Sequence, residues 1–359
     1  MPLTSVLSRS GQWFLRSGIQ EPAGGVARYY RTDIERNLPV STEITGYALS
    51  TLLWLHSATG HSEYLDRGLA AARFLARSAW DGQAMPFEVD PGPNGRLSYF
   101  FDCGIIIRGL LAAWRTSSVQ EFLDVATALG RIMAADFATN NGDYHPILKL
   151  PEKRPLERDA LRWSQAPGCY QLKSEMAWWD LFEATSDTRF REPYEHALEA
   201  ALRSYGTFLP GHPDRLKVVD RLHAFVYFLE GLLPRAQEKR CSAALCHGIQ
   251  RVSQLLEENA PEFERSDVYA QLLRIRIYAD WAGAAPLDVT AAECEAAALA
   301  GFQASASDPH IDGGFYFGRR RGAWLPYVNP VSTAFAVQAL AFWDQHRNGS
   351  PAAHPRLLI

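Results

Sequence analysis

The chain has 359 residues, 47% of them apolar and 21% charged, with a formal net charge of −4. That length allows two domains, or one large helical or barrel domain, and the slight acidity excludes the basic surface that a nucleic-acid partner or an anionic membrane would need. The five cysteines, Cys103, Cys169, Cys241, Cys246 and Cys294, are scattered without a CxxC pair. Free thiols in a reducing compartment are therefore expected. No stretch reads as a signal peptide or a membrane span, which predicts a cytoplasmic protein without stable membrane insertion.

In chain order, Thr4–Ser17 reads as a short amphipathic helix, and a loop containing GGVARYY follows. Thr42–Ser57 is then apolar on every side, as in a helix enclosed by others. Ser41 or Thr42 is placed to cap it, and Glu43 lies in its first turn, where the helix dipole favours an anion. Glu63–Trp80 is different, with Tyr64, Leu65, Leu69, Ala72, Leu75 and Ala76 on one face and Asp66, Arg67, Arg73 and Arg77 on the other. A loop with Pro91, Pro93 and a short hairpin leads to a second all-round apolar helix, Phe101–Trp114, again acid-headed, by Asp102.

The alternation then repeats. Gln120–Phe137 is amphipathic, and Tyr170–Thr185 is apolar with Lys173 and Glu175 at its head. Phe190–Phe208 is amphipathic, and Val218–Leu233 is apolar, starting with Asp220, Arg221 and His223. Glu238–Glu258 is followed by Ser266–Trp281 with Asp267 early, and Ala291–Ser305 by Val331–Trp343. Six repeats of an outer and an inner helix, none able to bury its apolar face alone, predict an all-α stacked or closed array. Short links join each inner helix to the next outer one, while long Gly-, Pro- and aromatic-rich loops precede the inner helices, so all inner N-termini are expected on one rim. We read the chain as an (α/α)6 toroid with short β-hairpins in the rim loops. It is one domain over 1–346 with a loose tail at 347–359; an open solenoid is the alternative.

The segments STEITGYALSTLLWL, FDCGIIIRGLLAAW, GCYQLKSEMAWWDLFEAT, RLHAFVYFLEGLL and GGFYFGRRRGAWLPYVNPVSTAFAVQAL resemble helical-toroid proteins of bacterial polysaccharide-biosynthesis clusters. Those are similar in architecture to six-hairpin glycoside hydrolases and, more distantly, to glucuronyl C5-epimerases. The resemblance implies a carbohydrate-active enzyme working on a glycan or glycolipid sugar. Hydrolysis, uronate elimination and C5 epimerisation remain open, as do a non-catalytic binding toroid and a terpenoid cyclase. The last lacks its DxDD acid motif here, and no phosphate-cradling GxxxxGK[ST] or GxGxxG loop is present.

Acid–base chemistry on a sugar needs two groups flanking it. Glu43 and Asp102 head neighbouring inner helices, which pack about 8–10 Å apart, so they are the expected pair. Glu43 is read as the proton carrier and Asp102 as the base, with His223 in reserve. Substrate contacts are expected from Tyr30, Tyr47, Lys173, Glu175, Asp312, Arg319, Trp324 and Asn329. Aromatics stack on sugar rings, and charged groups bind polar substituents. No metal-ligand spacing is visible, so neither metal nor other cofactor is expected. The partner is a small-molecule or oligosaccharide substrate.

Overall fold

The structure, a computed structural model, describes residues 3–90, 95–159 and 161–359; Pro91 and Pro93 lie outside the described residues. By packing, the chain falls into two compact units. The first comprises Gln20–Arg28 and Leu38–Ala201, the second Met1–Ile19, Tyr29–Asn37 and Leu202–Ile359. Twelve α-helices are present among the described residues, alternating as expected. No helix there is long and apolar enough to cross a membrane.

In the first unit, helices α2 (Thr42–Thr59), α4 (Phe100–Ser117) and α6 (Leu172–Thr185) pack side by side. Helices α3 (Ser62–Arg73), α5 (Gln120–Asp136) and most of α7 (Thr188–Ser204) cover them with one apolar face each. The last turn of α3 widens into a π-helix over Phe74–Ala79. Glycine sets how closely the inner helices cross. A methyl group on Gly104 of α4 would come within 2.3 Å of the Ser174 carbonyl oxygen of α6, so the two backbones touch two residues after Asp102 and one before Glu175.

Short antiparallel ladders brace the approaches to these helices. β1 (Val26–Ala27) pairs with β4 (Val40–Ser41), which runs straight into α2. β5 (Leu97–Tyr99), β6 (Ile147–Lys149) and β7 (Arg154–Pro155) form a second sheet, and β5 runs straight into α4. The glycine pair of GGVARYY has a packing reason. Gly24 adopts φ +101, and a side chain there would meet the Ala70 carbonyl oxygen at 2.3 Å. The loop therefore lies flat on α3, and Arg28, whose N–H donates to the Pro39 carbonyl at 3.1 Å, is carried back beside the head of α2.

In the second unit, α8 (Arg215–Gly231), α10 (Ser266–Trp281) and α12 (Pro330–Arg347) are the enclosed helices, with α10 next to both others. Helices α1 (Leu3–Arg16), α9 (Lys239–Asn259) and α11 (Val289–Ala300) flank them. Two three-stranded sheets lie among the loops. β2 (Tyr30–Arg31) sits between β3 (Arg36–Asn37) and β11 (Tyr327–Val328). β9 (Gly318–Arg320) sits between β8 (Phe263–Arg265) and β10 (Ala323–Trp324). Ion pairs lock this core. Arg274 is fully buried and donates to Glu230 at 2.7 Å and to Gln338 at 3.0 Å, while its guanidinium lies 4.0 Å over the Phe335 ring.

Two expectations need correcting. The tail after Arg347 is not loose, because Leu358 and Ile359 are buried and Gln338 holds the segment through the Leu357 carbonyl at 2.8 Å and the Ile359 N–H at 3.1 Å. The fourth inner helix starts at Arg215, one turn before the apolar run, with Asp214 as its cap accepting from the Leu216 N–H at 2.9 Å. Asp220, Arg221 and His223 therefore stand in its second and third turns. The polar residues Arg215–Lys217 hide that first turn from a reading based on apolar periodicity.

Candidate active site

The head of α2 is fixed from two sides. The Ser41 hydroxyl accepts from the Ile44 N–H at 3.4 Å, while Thr42 donates its N–H to the Phe87 carbonyl at 3.0 Å and its hydroxyl to the Pro86 carbonyl at 2.7 Å. Glu43 follows at once, in the first turn. It is half-buried, retaining contact with solvent, yet protein atoms crowd the carboxyl closely enough that burial pushes it up to about 7. The carboxyl is therefore reached by solvent while protein atoms surround most of it. Asp102, in the first turn of α4, is 6% exposed. Burial and the charge of Glu43 hold it well above the usual carboxylate range, a bond to its own backbone opposing them. Its Oδ2 makes no hydrogen bond among the described residues. Glu175, in the first turn of α6 and equally buried, is pushed up to about 8 by burial.

Three inner-helix heads of the first unit thus carry acids whose charged form is disfavoured, the dipole notwithstanding. Tyrosines stand with them. Tyr99, the residue before α4, is pushed up to about 12 by burial and then by the charges of Asp102, Glu43 and Glu88, with Arg28 opposing. Burial also pushes Tyr144 up to about 12, and the Glu175 charge adds to it. All these phenols are protonated donors at neutral pH. Like charges cannot both settle in a shared low-dielectric recess, so the Glu43–Asp102 pair retains a proton near neutrality. Asp102 is the more enclosed of the two and Glu43 the more open.

In the second unit, His223 is buried, and its Nδ1 lies 2.7 Å from Gln271 Oε1 and 3.5 Å from Asp267. The amide oxygen accepts, so Nδ1 carries the hydrogen and Nε2 offers its lone pair. Burial brings this imidazole down to about 4, against the charge of Asp267. Arg265 grips Asp267 with two bonds, 2.9 and 2.6 Å, and reaches Asp220 at 2.6 Å. Burial alone would raise Asp267, but Arg265 outweighs it and holds the carboxyl below its ordinary value.

Other sequence-predicted contacts are engaged within their own units. Tyr47 and Lys173 are enclosed, at 2% and 0% exposure, and offer a ligand almost no surface. Tyr30 stacks on His310 at 5.1 Å. Asp312 pairs with Arg9 at 2.8 Å. Arg319 pairs with Glu264 and lies over the Phe302 ring. Asn329 caps α12, accepting from Val331 and Ser332 N–H at 2.7 and 3.3 Å. Trp324 is the exposed one, at 44%, with one side against Tyr316. A groove of about 240 Å³ lies in the first unit between α5 and the start of α7, lined by Gly130, Arg131, Ala134, Asp187, Arg189 and Phe190; none of the sequence-predicted residues lines it. Arg28, Glu88 and Tyr99, which the sequence reading does not single out, also stand near Glu43 and Asp102: Tyr99 directly precedes an acid-headed helix, and the glycine pair positions Arg28.

No protein-family profile matches the sequence, and no curated protein sequence does. Solved structures do. A D-mannose isomerase matches with a TM-score of 0.70 at 10% identity, covering 96% of this chain and 97% of its own. A sugar epimerase from a ruminal bacterium matches at 0.69 and 13%, covering 95% and 99%. Cellobiose 2-epimerase from Spirochaeta thermophila matches at 0.67 and 15%, covering 96% and 98%. These are six-hairpin toroids, and the chain has the (α/α)6 toroid fold.

Proposed function

We propose that this chain is a carbohydrate-active enzyme that moves a proton on a sugar, with Glu43 as base and Asp102 as acid. The observation that carries this is the coupled pair itself. Two carboxyls on adjacent helix heads, both raised by burial and one raised further by the other's charge, place a proton donor beside a proton acceptor near pH 7. The named activities of the similar structures, epimerase and isomerase, favour proton abstraction and return at carbon over glycosidic hydrolysis, by analogy of fold. Glu43 takes the proton from carbon while Asp102 donates to the oxygen on which charge develops. Uncharged Tyr99 stands beside both and donates a hydrogen bond to that oxygen. Return of the proton to the opposite face of that carbon, with Asp102 taking its proton back from the oxygen, gives the epimer; return to the adjacent carbon, with the other oxygen of the enediol giving its proton to Asp102, gives the isomer.

The test is turnover of neutral mono- and disaccharides in D2O. Non-exchangeable deuterium at a sugar carbon marks proton transfer at carbon; product without it marks hydrolysis and overturns this choice of chemistry. A second reading keeps His223 as the base, favoured by its bound Nδ1 and available Nε2. His223→Asn then abolishes turnover while Glu43→Gln leaves it intact.

A further inference from the structure

Three polar groups beside Glu43 and Asp102 are held in place without being satisfied. Arg28 Nη2 lies 3.4 Å from Glu88 Oε1, an ion pair without hydrogen-bond geometry. Arg28 Nε and Glu88 Oε1 are both shielded from solvent, and neither makes a hydrogen bond among the described residues. Nor does the phenol oxygen of Tyr99. Asp102 Oδ2 is a third atom shielded from solvent and without a hydrogen bond, on a side chain more than nine-tenths buried.

The backbone brings these groups together. Phe87 donates its N–H to the Leu97 carbonyl at 2.7 Å and accepts from the Thr42 N–H at 3.0 Å, so the segment carrying Glu88 lies between β5 and the head of α2. The Arg28 guanidinium stands 5.7 Å from the Phe87 ring, which meets the Tyr99 ring at 5.2 Å. A buried donor or acceptor left unpaired costs about 1–3 kcal/mol, and three such atoms near one another, with the half-buried Tyr99 phenol beside them, point to a ligand that carries donors and acceptors side by side. Adjacent hydroxyls of a sugar do so, since each both donates and accepts. The two half-buried rings, Phe87 and Tyr99, supply the apolar wall that a sugar's C–H face packs on.

Charge narrows the class. Three carboxyls and one guanidinium surround Tyr99, and the guanidinium is already matched by Glu88. A uronate would bring a further anion into an acid-rich recess.

We propose that Arg28, Glu88 and Tyr99 form the recognition wall of this site and hold two adjacent hydroxyls of an uncharged sugar. The proposal rests on the acid–base reading of Glu43 and Asp102 for what happens to that sugar, but not for its binding.

The experiment is calorimetric titration of the full chain with D-glucose, D-mannose, D-glucuronate and the 2-, 3- and 4-deoxy forms of glucose, with thermal unfolding run on every variant. A neutral sugar binds, glucuronate binds at least about tenfold more weakly, and each deoxy sugar lacking one of the two held hydroxyls, at least one of the panel, loses about tenfold or more, the worth of a bond to a charged group. Arg28→Gln and Glu88→Gln, folded as the wild type, bind such a deoxy sugar and its parent equally. Glucuronate binding as tight as glucose overturns the proposal. So do variants that weaken every sugar by one factor, or a wild type that binds none of the panel. Glu43→Gln and Asp102→Asn separate the two claims. If both keep turnover while the deoxy discrimination follows Arg28 and Glu88, the acid–base reading fails and the recognition wall stands.

Discussion

Asp102 and Asp267 occupy the same kind of place, the first turn of an enclosed helix, one in each unit, and they end in opposite states. Asp267 has Arg265 two residues ahead, bidentate, and is held ionised. Asp102 has Tyr99 three residues ahead and no cation bonded to it, and is held toward its protonated form. The helix dipole is common to both and decides neither. What differs is whether the chain supplies a matched guanidinium. An acid at a helix head is thus held ionised in α10 and pushed toward its protonated form in α4, a difference that position alone does not show; the proposed function makes the second of these reactive.

The largest expected effect tests the reactive side. Glu43→Gln and Asp102→Asn each lower turnover of the sugar found in the D2O screen by about 10²–10⁴-fold, the range of a lost acid or base. Binding and the thermal midpoint stay near those of the wild type, because neither acid holds an ion pair. A variant with full turnover would return its acid to the structural class.

The structural side is tested next. Arg265→Met leaves Asp267 buried without its partner, at a cost of about 3–5 kcal/mol in urea unfolding at pH 7. The double variant Arg265→Met, Asp267→Leu recovers most of that loss, which a direct packing role of Arg265 would not allow.

The pH dependence of stability separates the two states more gently. Glu43 and Glu175 have folded values near 7 and 8, above the 4.5 of an unperturbed glutamate. A raised group contributes fully below the unfolded value and loses that contribution as pH rises through the folded one. Stability therefore falls between about pH 4.5 and 8, by at most about 1.4 kcal/mol per pH unit for each group titrating there. Asp267 is depressed, so its contribution is present above the ordinary aspartate value near 3.8 and is lost as pH falls further. Glu175→Gln flattens the slope on the upper side alone, as read from thermal midpoints across pH. An unchanged slope would mean that Glu175 is ionised throughout.

The sequence carried the alternation of helices well, because all-round apolar runs and one-faced runs differ at every turn. Ser266–Trp281 matches α10 to the residue. It carried Glu43, Asp102 and Glu175 as candidates because each sits at a recognisable helix start. It did not carry the partners. Arg108 reaches Asp180 from 72 residues away and Arg274 reaches Glu230 from 44, and no local pattern encodes such pairings. Arg28, Glu88 and Tyr99 lie in loops and a three-residue strand, where periodicity says nothing. The order of proton affinity within the Glu43–Asp102 pair depends on exposure, and the longer side chain proved to be the more open one.

The smallest effect separates a cap from a contact. Asn329 and Ser41 both precede enclosed helices, and the sequence marks Asn329 as a sugar contact. In the fold its side chain accepts two helix N–H bonds, at 2.7 and 3.3 Å, while Ser41 accepts one at 3.4 Å. Substituting a cap by alanine costs about 0.5–2 kcal/mol, so Asn329→Ala is expected near the upper end and Ser41→Ala near the lower. Neither substitution removes a group of the recognition wall, so sugar affinity stays within about twofold in Asn329→Ala, a few tenths of a kcal/mol. A variant that unfolds like the wild type but loses affinity would make Asn329 a ligand contact. A helix head of the second unit would then contact substrate, and a guanidinium partner would no longer be what separates a structural head from a reactive one.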